Sequence, residues 1–171
     1  MPEILALGAR AGALLKERRE RVAVGETSAG GLISAGLLAV PGASAYFVGG
    51  AITYSARSIR GLAGISIERM RAEGVRSSSE PYAILLATEI RARHGDITWV
   101  LSETGAAGPD GNTYGDPAGH TCMAVVGPTT VSRTLRTGSN DRVANMWAFA
   151  EATLALFVEV LEATPRSDPE G

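Results

Sequence analysis

The sequence predicts an α/β fold, specifically a three-layer α/β/α sandwich with a mixed sheet. Helical and strand patterns alternate along the chain, and one hairpin near the end adds antiparallel pairing to strands otherwise joined through helices. Two glycine-rich loops follow strand patterns, as expected where ligands meet the carboxyl ends of strands in open α/β sheets.

Each element has a local cause. Ile4, Leu7, Ala11, Leu14 and Leu15 recur at helical spacing and predict a first helix ending near Arg18-Arg19. Val22 to Val24 reads as a short buried strand, and residues 30–39 as a second helix stopped by Pro41-Gly42. Phe47 to Tyr54 mixes β-branched, aromatic and glycine residues and reads as a strand. Two short helices are predicted over 56–63 and 66–73. A longer one follows, capped by Ser79 with Glu80 and Pro81 in its first turn and running to His94-Gly95. Ile97 to Ser102 is a predicted strand. Cys122 to Val126 and Thr130 to Leu135 form a hairpin across Gly127-Pro128. Asp141 opens a final helix with Val143, Trp147, Ala150, Leu154, Phe157 and Leu161 on its apolar side. Residues 1–163 are expected to form one domain, and the polar, proline-bearing stretch 164–171 a flexible tail.

Composition narrows the function classes. A net charge of −2 gives no electrostatic footprint for nucleic acid. No apolar run reaches the ~20 residues of a bilayer span, and the start Met1-Pro2-Glu3-Ile4 lacks the pattern of a signal peptide. The single cysteine, Cys122, has no partner for an internal disulfide. A cytoplasmic protein is the expectation. The histidines and the cysteine lack metal-ligand spacing, so no metal or other cofactor is expected. Lys16 is the only lysine beside fifteen arginines, so a mechanism that needs a lysine base must use it.

The most informative stretch is Gly25-Glu26-Thr27-Ser28-Ala29-Gly30-Gly31. A strand, a hydroxyl-bearing glycine turn and a helix in that order aim N–H groups and the helix dipole at an anion or oxyanion. The same pattern is also met as a helix cap with glycines for close packing. Further along stand Pro41-Gly42-Ala43-Ser44-Ala45, Gly50-Ala51-Ile52-Thr53-Tyr54-Ser55 and Thr104-Gly105-Ala106-Ala107-Gly108-Pro109-Asp110-Gly111. In order and spacing the four resemble the motifs E-S-C-T-G-G, P-G-[SA]-S, T-Y-S-N and T-G-I-A-G-P-D-G-G of the CinA C-terminal domain family, the nicotinamide mononucleotide deamidases. The resemblance covers nearly the whole chain. It implies the same sandwich, a homodimer, and hydrolysis of a nicotinamide-nucleotide amide to the acid and ammonia. Family members often carry an additional N-terminal domain.

Carried over residue by residue, the family's nucleophilic serine falls on Thr27, its cysteine on Ser28 and its threonine on Ala29. Thr27 is favoured over Ser28, whose side chain should point elsewhere, although the threonine methyl crowds attack. Tyr54 matches the family tyrosine, placed to relay a proton or orient the amide; the alternative is a packed aromatic with its hydroxyl at the surface. Glu26, Gly30, Gly31, Thr104, Gly105, Ala106 and Gly108 are the expected substrate-binding positions of the two loops, with Arg142 as a nearby cation.

The chain also departs from the pattern. Ile59 stands where the family has lysine, with Arg57 and Arg60 flanking it. Asp116-Pro117-Ala118-Gly119 replaces K-P-V-G, Gly138-Ser139-Asn140 replaces G-D-R, and Val143-Ala144 replaces V-R. Glu103, at a usually apolar family position, is a gained acid. It is read either as a second pocket carboxylate beside Glu26, as a metal preference, or as a structural pair with Arg57 or Arg60. His94 looks like a helix C-terminal residue, and His120 is an outside candidate for a base. Three functions remain open: a deamidase-type amidohydrolase, a non-catalytic nucleotide-binding or regulatory module, and an amidase for another substrate using Glu103 or His120. All three take a small molecule or nucleotide, and none contacts nucleic acid or membrane.

Overall fold

A computed structural model describes residues 2–166; the predicted tail beyond residue 166 lies outside the described residues. Twelve segments follow one another: α1 (Pro2–Arg18), β1 (Val22–Glu26), α2 (Leu32–Leu38), a 3-10 turn at Ala43–Ala45, β2 (Phe47–Ile52), α3 (Ala56–Ala63), α4 (Ile67–Ala72), α5 (Glu80–Ala92), β3 (Trp99–Ala106), β4 (His120–Val126), β5 (Thr130–Arg136) and α6 (Arg142–Ala163). The five strands form one sheet in the order β2-β1-β3-β4-β5. β1 runs parallel to both neighbours, and β4 and β5 are antiparallel, so the sheet is mixed as expected.

Strand alternation builds two cores. Val22, Val24, Trp99 and Leu101 point to one face and pack with α1, α2 and α6; Ala23 and Val100 point to the other, toward α3, α4 and α5. On the first face the Trp99 indole meets Phe157 edge to face, with ring centroids 6.1 Å apart. Trp99 Nε1 donates to the Glu20 carboxylate at 2.7 Å, so its one polar atom is satisfied inside the core. α1 and α2 approach closely because Gly8 faces the backbone of Gly36: a Cβ on Gly8 would lie within 2.1 Å of the Gly36 carbonyl oxygen.

Two expectations need adjustment. β3 runs on through Glu103, Thr104, Gly105 and Ala106, which pair in register with Met123, Cys122, Thr121 and His120. Its polar residues hid that extension, because their partners lie on other elements. Val143 is exposed, so the apolar face of α6 begins later, with Phe149, Leu154, Phe157 and Leu161 fully buried. α6 is 22 residues long with a window of mean hydropathy 1.4, enough by length and composition to cross a bilayer. In this fold those apolar side chains belong to the first core.

Candidate functional site

The ends of β1, β2 and β3 open into a cleft of about 650 Å³. Thr27 follows β1, Thr53 and Tyr54 follow β2, and Thr104 and Gly105 close β3. The far wall comes from Ile59 of α3, Arg71 of α4, Ser77 and Ser78 before α5, Tyr82 on α5, and the loop Gly111–Tyr114. The cleft lies outside the carboxyl ends of the parallel strands, where open α/β sheets hold their ligands.

The first glycine turn is not an open anion site. The Glu26 carboxylate is fully buried and accepts from the backbone N–H of Gly31 (2.8 Å), Ile33 (3.1 Å) and Ser34 (2.8 Å), and from the Ser34 hydroxyl (2.6 Å). Glu103, also fully buried, accepts from Thr27 N–H (3.2 Å), Ala29 N–H (2.8 Å) and the Thr121 hydroxyl (2.9 Å). Most of the amides expected to hold a ligand anion therefore hold two internal carboxylates. Burial pushes the Glu103 carboxyl up to about 7 against the pull of its three donors, and the Glu26 charge adds to the rise.

Several expected site residues are accordingly placed elsewhere. Glu26 and Glu103 lie beneath the turn and do not line the cleft. Glu103 meets N–H groups and a hydroxyl rather than the expected arginine, while Arg60 pairs with Glu68 at 2.9 Å. Ser28 is buried with its hydroxyl donated to the Gly105 carbonyl at 2.7 Å, so it ties the turn to β3. Gly30 and Gly31 take positive φ of 66° and 101° to bend the chain into α2; their open sides face Met146 and Ile52. Ala106 and Gly108 are buried beyond the cleft, and Arg142 donates to Gly108 O at 2.7 Å and to Tyr54 Oη at 3.3 Å. Arg142 thus joins the second glycine loop to Tyr54 without lining the cleft itself.

The residues that do converge are Thr27, Tyr54, Thr104 and Gly105. Thr27 is half-buried, and its hydroxyl donates only a long contact, 3.4 Å, to the Thr53 carbonyl. Tyr54 is 62% exposed at the mouth. The Thr104 hydroxyl accepts from Ser78 N–H at 3.1 Å, fixing the segment before α5 against β3. Ile59 forms apolar wall where the resemblance places a lysine. Lys16 is spent elsewhere: it donates to Pro41 O at 2.7 Å and lies 5.8 Å from the Tyr46 ring centroid.

His120 is buried outside the cleft, its Nε2 3.0 Å from the Ser78 carbonyl and 3.7 Å from Asp116. His94 is exposed next to the C-terminal end of α5, as its helix-end reading expected, and is not a cleft residue. No cluster of three or more metal-ligating side chains occurs among the described residues.

Sequence reasoning missed three features. Asp116, read only as a charge reversal, receives two hydrogen bonds from Arg76 (2.6 and 3.1 Å) and one from Asn112 (2.9 Å). The Arg76 guanidinium holds the Asp116 carboxyl below the usual range. Arg76 also stacks 5.3 Å from the Tyr114 ring centroid, so this pair shapes the loop over the cleft. The other two are Tyr82 and Arg71. Nothing in the helical pattern of α5 separates Tyr82 from an ordinary core aromatic, and Arg71 lies three residues from Glu68, so spacing alone pairs it there.

The model of the CinA C-terminal domain matches residues 5–161. A CinA-like protein of Anaeromyxobacter dehalogenans is 40% identical over 145 residues, 83% of this chain and 35% of that protein. One of Chloroherpeton thalassium is 35% identical over 158 residues, 90% of this chain and 37% of that protein. The chain therefore spans about a third of the length of these curated relatives. Among solved structures, the competence damage-inducible protein A of Klebsiella pneumoniae is similar with a TM-score of 0.85 at 24% identity, covering 95% of this chain and 99% of that one. A competence/damage inducible protein of Agrobacterium tumefaciens gives 0.83 at 24% identity, covering 94% and 96%.

Proposed function

The chain belongs to the CinA C-terminal domain family, and on that premise we propose that residues 1–163 act as one domain, a cytoplasmic homodimer that hydrolyses the amide of a nicotinamide-nucleotide-type substrate in the cleft. The observation that carries this reading is the convergence of the Thr27 and Tyr54 side chains at the ends of two parallel strands, with Ser28 locked away. Thr27 Oγ1 attacks the carboxamide carbon, and the amide nitrogen leaves as ammonia with a proton passed by way of the Tyr54 hydroxyl. Water then hydrolyses the threonyl ester to the free acid.

Chemistry without a lysine should be slow. Neither lysine, histidine nor carboxylate lines the cleft among the described residues, and a positioned base is worth about 10²–10⁴ in rate. The same observation favours a second reading, a module that binds the nucleotide without turning it over.

Ammonia release from nicotinamide mononucleotide separates the two. The expected rate is roughly 10²-fold or more below that of a lysine-bearing relative, and Thr27→Ala and Tyr54→Phe should each abolish it. If calorimetry shows binding while the wild-type protein releases no ammonia, the binding module is the function and the amidase reading falls.

A further inference from the structure

Among the described residues, Arg71 is the only charged one that lines the cleft. The acids around it are engaged by other groups. Glu68 is held by Arg60 at 2.9 Å and by Ser66 at 2.8 Å. Glu73 and Glu89 are held by Arg69 at 2.8 and 2.7 Å. Among the described residues Arg71 takes part in none of these contacts, so α4 presents one guanidinium to the cleft with its donors free.

A second observation comes from the opposite element. Tyr82 is 1% exposed and lines the same cleft; its hydroxyl makes no hydrogen bond of good geometry, and its near neighbour is the Thr53 hydroxyl. The neighbouring Thr53 hydroxyl is directed to the Glu26 carbonyl at 3.3 Å. A buried hydroxyl with so weakly placed a partner leaves part of its desolvation cost unrecovered, and an arriving ligand oxygen supplies the missing bond. An anionic ligand group also needs a place away from α2, because Glu26 and Glu103 already occupy the amides there.

We propose that Arg71 binds the anionic group of the cleft's ligand, a phosphate monoester, and that the buried Tyr82 hydroxyl hydrogen-bonds the ligand in the same cleft. The nucleotide class rests on the function proposed above; the anion site itself does not. The cleft is otherwise neutral and lined largely by hydroxyls, among them Thr27, Tyr54, Ser77 and Thr113, which suits a sugar phosphate.

Titration calorimetry on the full chain tests this with three probes: nicotinamide mononucleotide, its unphosphorylated riboside, and inorganic phosphate. The mononucleotide should bind at least about tenfold tighter than the riboside, the contribution of one charge-assisted pair. Arg71→Gln should erase that advantage and leave the riboside unchanged, whereas Arg57→Gln, outside the cleft, should alter neither. Tyr82→Phe should weaken binding of both the mononucleotide and the riboside while its Tm changes little, since the hydroxyl it removes makes no hydrogen bond of good geometry in the free protein. A mononucleotide advantage that survives in Arg71→Gln overturns the proposal. Phosphate binding that Arg71→Gln removes, without mononucleotide binding, keeps the anion site and sinks the nucleotide reading. A wild-type protein that binds neither anion overturns the site.

Discussion

Glu103 concentrates the residue-scale chemistry. Its carboxyl is pushed up to about 7 from an ordinary 4.5. Between those values the folded protein keeps a proton that the unfolded chain has released, so this contribution to stability is complete below pH 4.5 and is lost as pH rises through 7. The neutral form has a place for its proton: the Thr121 hydroxyl can accept from Glu103 while donating to the Thr104 carbonyl at 3.2 Å. From pH 5 to pH 8 the loss should be on the order of 3 kcal/mol, read from urea midpoints, and Glu103→Gln should flatten the slope. An equally steep slope in that variant would assign the titration to another group. The acid was legible in the sequence as an unusual residue beside the loop. Its role was not, because Thr27, Ala29 and Thr121 come from other turns and strands, and which donors a carboxylate meets depends on side-chain direction after folding.

At the scale of elements, close backbone approach decides how α1 sits on α2. Gly8→Ala should cost about 1–3 kcal/mol despite alanine's better helix propensity, because the added methyl meets the Gly36 carbonyl and the helices must part. Gly61 in α3 is the control: nothing lies within 4 Å of a Cβ there, so Gly61→Ala should gain about 0.5–1 kcal/mol. Opposite signs in urea denaturation would locate the difference in packing; equal signs would refute the close contact. Element positions were legible because apolar spacing and punctuation agreed, as at Ser79-Glu80-Pro81, where the Ser79 hydroxyl accepts from Tyr82 N–H at 3.2 Å. The seven residues of α2 carry no side-chain cap at Gly31; that role falls to Glu26 from the preceding strand, which no local cap pattern announces.

For the whole molecule, α6 seals the core that α1, α2 and the sheet leave open. Ending the chain at residue 141 uncovers Trp99, Met123 and the inner faces of α1 and α2. The truncated chain should lose cooperative unfolding and bind a hydrophobic dye, and a cooperative transition in it would show that the remaining core suffices. The sandwich was readable because its two cores are written into alternate strand residues such as Val22, Ala23 and Val24. The cleft's working surface was harder to read, since Arg71, Tyr82 and the Arg76–Asp116 clamp meet only through tertiary contacts. The two carboxylates beneath the first glycine turn have one further consequence. A turn whose amides are already held by two buried side chains has its shape before any ligand arrives, so binding need not order that segment. Ligand association at this end of the cleft should resemble entry into a rigid mould, with a heat capacity change set by the surface covered and little added from local folding.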